Sequence, residues 1–219
     1  MDAATLQNRI YSGYGKAAKR IGYAFGVYRP TSATANPIQP GNLITTLLAT
    51  FTVSGIGFNF EKPSAYKNPL FNGLFDATLV LPGDYMVNAT HGTYFVASLP
   101  DQVPPLCVQC DRVISIKAPG PAKTFGAQTA YSGSTLANEV AVMSLYPASI
   151  LLDARGRSTE VALPMDLPAP FFQILLPAIA GVDVRSGMAI SDDQGRRYII
   201  SAAENSFLGW RISAQQAVT

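Results

Sequence analysis

The sequence predicts a mainly β protein of two related small barrel-like or sandwich-like halves, preceded by an N-terminal helix and an extended arm. Three observations carry that expectation. One pattern occurs twice, Gly83-Asp84-Tyr85-Met86-Val87 leading to Thr93-Tyr94-Phe95-Val96, and Gly187-Met188-Ala189-Ile190 leading to Arg197-Tyr198-Ile199-Ile200. Each copy sets two apolar, strand-like runs around a polar turn, Asn88 to Gly92 and Ser191 to Gly195, and the spacing from glycine to tyrosine is the same in both. Helical periodicity is confined to the start of the chain, and after residue 25 the apolar residues run in short β-like stretches. The duplication divides the chain into a helix with a Pro-rich arm (1–40), a first β domain (41–118) and a second β domain (119–219).

The helix is read from Leu6, Ile10, Tyr14, Ala17 or Ala18 and Ile21, which recur at three- and four-residue steps. Asp2 can cap its start and Gly22 suits its stop. Gly13 and Gly15 each cost about 1 kcal/mol relative to Ala in a helix interior, so a bend or break is expected near Ser12. The outer face carries Arg9, Lys16, Lys19 and Arg20; with Arg29, the first thirty residues hold five basic groups against one acid, Asp2. Such a cluster is either a solvated face or an arm that docks on an acidic partner or near nucleic acid. Pro30, Pro37 and Pro40 then hold an extended linker with no core of its own, which is expected to lie across an adjacent subunit.

From Leu43 to Phe60 the residues are apolar and β-branched, with Phe51, Val53, Phe58 and Phe60 placed for strands. Pro63 to Phe75 carries Tyr66, Leu70, Phe71 and Phe75 and reads as a loop that wraps the barrel or touches a neighbour. After the first hairpin, Pro100, Pro104 and Pro105 break the chain, and Leu106 to Lys117 alternates as one further strand. The bridge Ala118-Pro119-Gly120-Pro121 is the expected domain boundary. Phe125 to Ala137 is small, polar and Gly-rich, with no pattern that places it. Residues 140–153, 160–163, 171–176, 181–190, 197–202 and 210–214 read as the strands of the second unit.

Charged residues are 14% of the chain, against roughly 25% in an average soluble domain, while hydrophobic residues reach 48% and the net charge is +2. A surface so poor in charge is weakly protected against association, which points to area buried against other subunits. No run approaches the ~18 apolar residues of a membrane span, and Met1-Asp2-Ala3-Ala4-Thr5 lacks the basic-then-apolar order of a secretion signal, so a cytoplasmic site of synthesis is expected. Cys107 and Cys110 form a Cys-x-x-Cys, but inside a strand-like stretch, where they read as packed thiols. With one histidine, His91, in a hairpin turn, neither a four-ligand zinc site nor a Ser-His-Asp constellation is expected, and no cofactor is implied.

Other chemistries are weaker still. Gly13-Tyr14-Gly15-Lys16-Ala17-Ala18 has the letters of a dinucleotide turn without a preceding strand or a following βαβ unit. Asp192 and Asp193 are adjacent, so in a strand or turn they point apart, and Asp-Asp-Gln-Gly suits a tight loop better than paired-carboxylate catalysis. Arg196 and Arg197 are then available to those carboxylates or to a partner. Ten tyrosines and eleven phenylalanines would serve a base-stacking barrel, but sixteen Lys and Arg against fourteen acids are few for tracking phosphates.

Leu6-Gln7-Asn8-Arg9-Ile10-Tyr11-Ser12-Gly13-Tyr14-Gly15-Lys16-Ala17-Ala18, Tyr28-Arg29-Pro30-Thr31, Gly83-Asp84-Tyr85 with Gly92-Thr93-Tyr94-Phe95-Val96, Asp192-Asp193-Gln194-Gly195-Arg196-Arg197-Tyr198, Ala203-Glu204 and Leu208-Gly209-Trp210-Arg211 resemble virion proteins of tailed bacteriophages and prophages. The Gly-Asp … Gly-Arg-x-Tyr element is similar to that of small β-barrel head-completion and head-tail connector proteins of the neck, the adaptors and stoppers. The second copy departs from it, with Ser186-Gly187-Met188 in place of Gly-Asp. The resemblance implies a virion structural subunit and no enzyme. It would sit in a homo-oligomeric ring, contact the portal and neighbouring neck or tail proteins, and pass genomic DNA without sequence-specific contacts. The candidate partner-binding residues are Arg9, Tyr14, Lys16, Lys19, Arg20, Tyr28, Arg29, Arg196, Arg197 and Trp210. The alternatives are a tail-associated carbohydrate or host-recognition module, favoured by exposed Tyr and Trp210, and a single-strand nucleic-acid-binding barrel.

Overall fold

A computed structural model of the chain describes residues 2–52, 69–120, 138–153 and 170–217. Helix α1 (Ala3–Ile21) precedes the strands β1 (Tyr23–Tyr28), β2 (Leu43–Thr52), β3 (Leu70–Leu74), β4 (Tyr85–Asn88), β5 (Gly92–Ser98) and β6 (Leu106–Cys110). Then come β7 (Arg112–Pro119), β8 (Glu139–Leu152), β9 (Phe171–Leu176), β10 (Ala189–Asp192), β11 (Arg197–Ser206) and β12 (Gly209–Gln216). They form two closed antiparallel barrels. The first runs β1-β2-β3-β6-β5-β4 and the second, in the same cyclic order, β7-β8-β9-β12-β11-β10. Closure pairs each of these strands on both sides, so that among the described residues no sheet edge is left open.

The repeat seen in the sequence is one hydrogen-bonded device used twice. In the first barrel the Gly83 amide donates to the Val96 carbonyl (2.8 Å) and the Val96 amide to the Asp84 carbonyl (2.9 Å). In the second, Gly187 donates to Ile200 (2.8 Å) and Ile200 to Met188 (2.9 Å). Gly83 and Gly187 take φ of +94° and +84°, which a side chain disfavours, and this turn starts β4 and β10 in register with the strands after them. Asp84 and Met188 stand at the same place in the two copies, the substitution already visible in the sequence.

Strand alternation fills the barrels. Phe25 and Val27 of β1, Met86 of β4, Tyr94 and Val96 of β5 and Cys107 of β6 share the first core with Tyr11 of the helix. Phe51 stacks on Tyr94 at 3.8 Å, with Phe25 edge-on to both. The second core is built from Ile114, Ile116, Met143, Ile174, Leu176, Ile190, Tyr198, Ile200 and Ile212. In β5 both faces are buried, because Phe95 and Ala97 turn away from the first core and pack with Tyr85 and Val108 against the second barrel. The Tyr85 hydroxyl, fully buried, donates to the Pro147 carbonyl of β8 at 2.9 Å, and the Tyr85 and Tyr146 rings meet edge-on.

Several expectations change. The helix is unbroken through Gly13 and Gly15, because tertiary packing holds it: Tyr11 and Ala18 are buried, and a Cβ on Gly15 would lie 3.0 Å from the Asp76 side chain. Its inward stripe is Gln7, Tyr11, Tyr14 and Ala18, with Tyr11 and Ala18 buried and the other two half-buried; Leu6 and Ile21, part of the periodic apolar set, are exposed. Asp2 caps it as expected, accepting from the Thr5 amide at 2.8 Å. Residues 1–40 are not all arm, since β1 is a barrel strand paired with β2 and β4. The Pro-rich linker lies on the chain's own second barrel rather than reaching for a neighbour there: Ser144 donates to the Ala33 carbonyl, and the Tyr146 hydroxyl to that of Ser32 at 2.6 Å.

Leu70–Leu74, read as loop, is β3, and Phe75 is fully buried. The single strand expected from Leu106 to Lys117 is two, β6 in the first barrel and β7 in the second. The changeover therefore falls at Asp111 and not at Ala118–Pro121. Asp111 makes the break, its amide donating to the Ala148 carbonyl and its carboxylate accepting from the Ile150 amide at 2.8 Å. From the 181–190 stretch only Ala189 and Ile190 are in a strand. The strands expected at Val53–Phe60 and Glu160–Leu163, the first part of the Pro63–Phe75 loop and the Phe125–Ala137 stretch lie outside the described residues.

Candidate functional site

The ten candidate contact residues separate by burial. Arg9, Lys16, Lys19 and Arg20 are exposed on α1. At 100° per residue Arg9, Lys16 and Arg20 fall on one line, opposite buried Tyr11 and Ala18, with Lys19 at its side. Beside the basic line runs an apolar flank, with Leu6 38% and Ile21 61% exposed. The helix therefore presents charge and apolar side chains on adjoining parts of its outer surface. Tyr14, by contrast, packs on the first core, and Tyr28 packs at the barrel joint over Gly26.

Arg29 is committed inside the molecule. Its guanidinium forks onto the Asp84 carboxylate, Nε to Oδ1 at 2.8 Å and Nη2 to Oδ2 at 2.7 Å, and also donates to the Leu79 carbonyl. Asp84 accepts a further bond from the Leu81 amide at 2.8 Å, and its side chain is 1% exposed against 35% for Arg29. The hydrogen bond to Asp84 raises the Arg29 pKa above its ordinary value. Arg29 thus latches the turn that begins β4.

Arg197 is likewise engaged, but with Glu139 and not with Asp192 or Asp193; Lys117 lies 3.9 Å from the same carboxylate, which is 1% exposed. Asp192 is the turn residue the sequence predicts: Oδ1 accepts from the Gln194 and Arg196 amides, and Oδ2 from the Tyr198 hydroxyl. Arg196 is exposed. Trp210 is only 6% exposed, in the second core, which removes the ring that favoured glycan stacking. His91 sits in the β4–β5 turn with its ring stacked on Tyr23 at 3.6 Å.

The thiols of β6 face apart. Cys107 enters the first core and Cys110 packs at the joint; both are free, and burial pushes both thiols well up, the opposite of what a redox or nucleophilic cysteine needs.

Two surface features escaped the sequence. A groove of about 130 Å³ opens at the joint, lined by Arg29, Pro30, Leu81, Pro82, Gly83 and Asp84 of the first barrel and Ala178, Ile179 and Ala180 of the second. Leu81 in its lining and Leu79 next along the chain but one are 52% and 63% exposed. The other feature is Phe207, 86% exposed in the turn between β11 and β12. The run Pro177-Ala178-Ile179-Ala180 and a phenylalanine in a turn were the available signals, but neither has a periodicity that assigns it to a surface. No protein-family model, no curated protein and no solved structure matches the chain.

Proposed function

We propose that the chain is a structural subunit of a tailed-bacteriophage virion, part of a ring at the head-tail junction that joins portal to tail and lines or closes the DNA channel. The observation that carries this reading is the tandem of two barrels with one strand order, each filled by its own side chains. Their outer walls are then the working surface. Those walls expose Tyr23, Leu43, Ile44 and Leu48 on the first barrel and Val140, Leu145, Leu152, Phe171 and Ile199 on the second. Apolar walls on a chain with 14% charged residues suit neighbours in a ring, where contacts between unlike faces close by rotation. A net charge of +2 lets DNA slide past without a strong grip on phosphate. Helix α1 is the latch, its basic line meeting acidic surface on the portal or the next ring. The work is mechanical and takes no cofactor and no catalytic step.

Gold-labelled antibody against the chain, applied to particles purified from cells that carry its gene, tests the assignment. Label at the junction of head and tail is expected; label at the tail tip, or particles free of the chain, overturns it.

A further inference from the structure

The most exposed large apolar side chain among the described residues and the groove at the barrel joint lie close together. β11 and β12 are laddered to each other up to the pair Ser206 and Gly209, so Phe207 and Leu208 form the turn. Leu208 packs inward on the second core, and Phe207 is left outside. Gly209 then presses on the chain entering the groove: a Cβ there would lie 2.3 Å from the Leu176 carbonyl oxygen and 3.3 Å from the Ala178 amide nitrogen. The turn that carries Phe207 is thereby fixed beside Ala178, Ile179 and Ala180, which line the groove.

We infer that two copies of this chain pair by exchanging Phe207, the ring of each entering the other's joint groove. Size fits, since a cavity of roughly 150 Å³ holds a benzene and this groove offers about 130 Å³ with an open side. Chemistry fits as well. Pro30, Leu81, Pro82 and Ile179 give apolar lining, and the Arg29 guanidinium, forked onto Asp84 and 35% exposed, adds a cation to it, a group on which an aromatic face stacks. Because knob and groove neighbour each other, one approach satisfies both contacts at once, the self-complementary geometry of a two-fold pair. Leu79 and Leu81 are covered in the same step. The pairing is separate from ring closure, which needs a contact between unlike faces, so either can fail alone.

The test uses the full chain with photoreactive benzoylphenylalanine at position 207. Irradiation should give a product at twice the chain mass, with the cross-link mapped to residues 29–30, 79–84 or 178–180 of the second copy. Phe207→Ser, at an exposed site, should keep the unfolding midpoint while weakening self-association in sedimentation by roughly tenfold to a hundredfold. Leu81→Lys should do the same from the groove side. A cross-link within one chain, to another surface or to an unrelated protein overturns the inference, as does Phe207→Ser pairing as tightly as the parent. Junction labelling that persists while the pairing fails would sink the pairing and leave the ring.

Discussion

The two copies of the barrel make the Arg29–Asp84 pair open to an internal control. Extending the β1–β4 register places Arg29 opposite Asp84, and extending the β7–β10 register places Ala118 opposite Met188. One barrel thus closes this corner with a fork of charge-assisted hydrogen bonds, and the other places the uncharged side chains of Ala118 and Met188 there, the Met188 sulfur accepting from the Arg185 amide at 3.4 Å as Asp84 accepts from that of Leu81. Arg29→Ala leaves the carboxylate of Asp84, 1% exposed, with the Leu81 amide as its remaining partner. Breaking a fully buried pair costs about 3–5 kcal/mol. Arg29 is 35% exposed, so water replaces part of what it gave, and about 2–3 kcal/mol is expected. Asp84→Met should cost less, about 1–2 kcal/mol, since the freed guanidinium can rehydrate and the loss is chiefly the bond to Leu81. Joined as Arg29→Ala with Asp84→Met, the corner copies the second barrel, and the total should stay near 1 kcal/mol, a coupling of about 2–4 kcal/mol. Urea denaturation gives the energies, and the Arg29→Ala melting temperature should fall by roughly 4–12 °C for a chain of this size. Additive single costs, or Asp84→Met costing more than Arg29→Ala, would refute the argument that burial of an unpaired charge dominates.

Gly83→Ala and Gly187→Ala should each cost about 1–2 kcal/mol in urea denaturation, and by similar amounts, because both need positive φ and no atom crowds a Cβ closer than 3.5 Å at either. Burial raises the Tyr146 phenol to about 12 from 10.0. Its contribution to stability is therefore whole below pH 10 and lost as pH rises through 12, and Tyr146→Phe should flatten the decline of stability in that window. Charge reversal at Arg9, Lys16 and Arg20 to Glu should leave the unfolding midpoint within a few degrees, since all three are exposed, yet stop incorporation into particles; normal incorporation would refute the latch. Deleting residues 1–40 cannot test it, since that removes β1 from its barrel.

What the sequence made legible is what local patterning controls. The duplicated hairpin could be read because a glycine at positive φ, a polar turn and period-two apolar runs are all set within a dozen or so residues. Asp2 and the basic line of α1 were legible for the same reason. The barrel boundary was not. Alternation continues from Leu106 through Lys117, and nothing in it records that Asp111 hands the chain from one barrel to the next, which depends on β8 arriving from far along the chain. The helix face was misread because Leu6 and Ile21 are as apolar as a core needs, while the side chains that seat on the barrel include Gln7 and Ala18. Arg29 and Trp210 look like free surface residues in a string of letters, but Asp84, 55 residues away, holds the guanidinium of the first and the second core takes the other. Burial and pairing at long range decided each of these.

The joint between the barrels explains why a tandem of like units need not grow. Were the two barrels alike in their surfaces and joined head to tail through unlike faces, the second would carry a copy of the joint surface at its far side and recruit a third. Tyr85 does the joining, with its hydroxyl on Pro147 and its ring against Tyr146. The residue in its place in the second hairpin, two after Gly187 as Tyr85 is two after Gly83, is Ala189, 4% exposed and too short to reach any carbonyl across a gap. Asp84 and Met188 differ at the adjoining position, so the lining of the groove is also not repeated. The hairpin backbone is alike in the two barrels because closure needs it, while the side chains at these two positions differ. That asymmetry leaves the described residues with one joint, one N-terminal helix and one Phe207, so that the assembly proposed above uses surfaces other than the one that joins the two barrels.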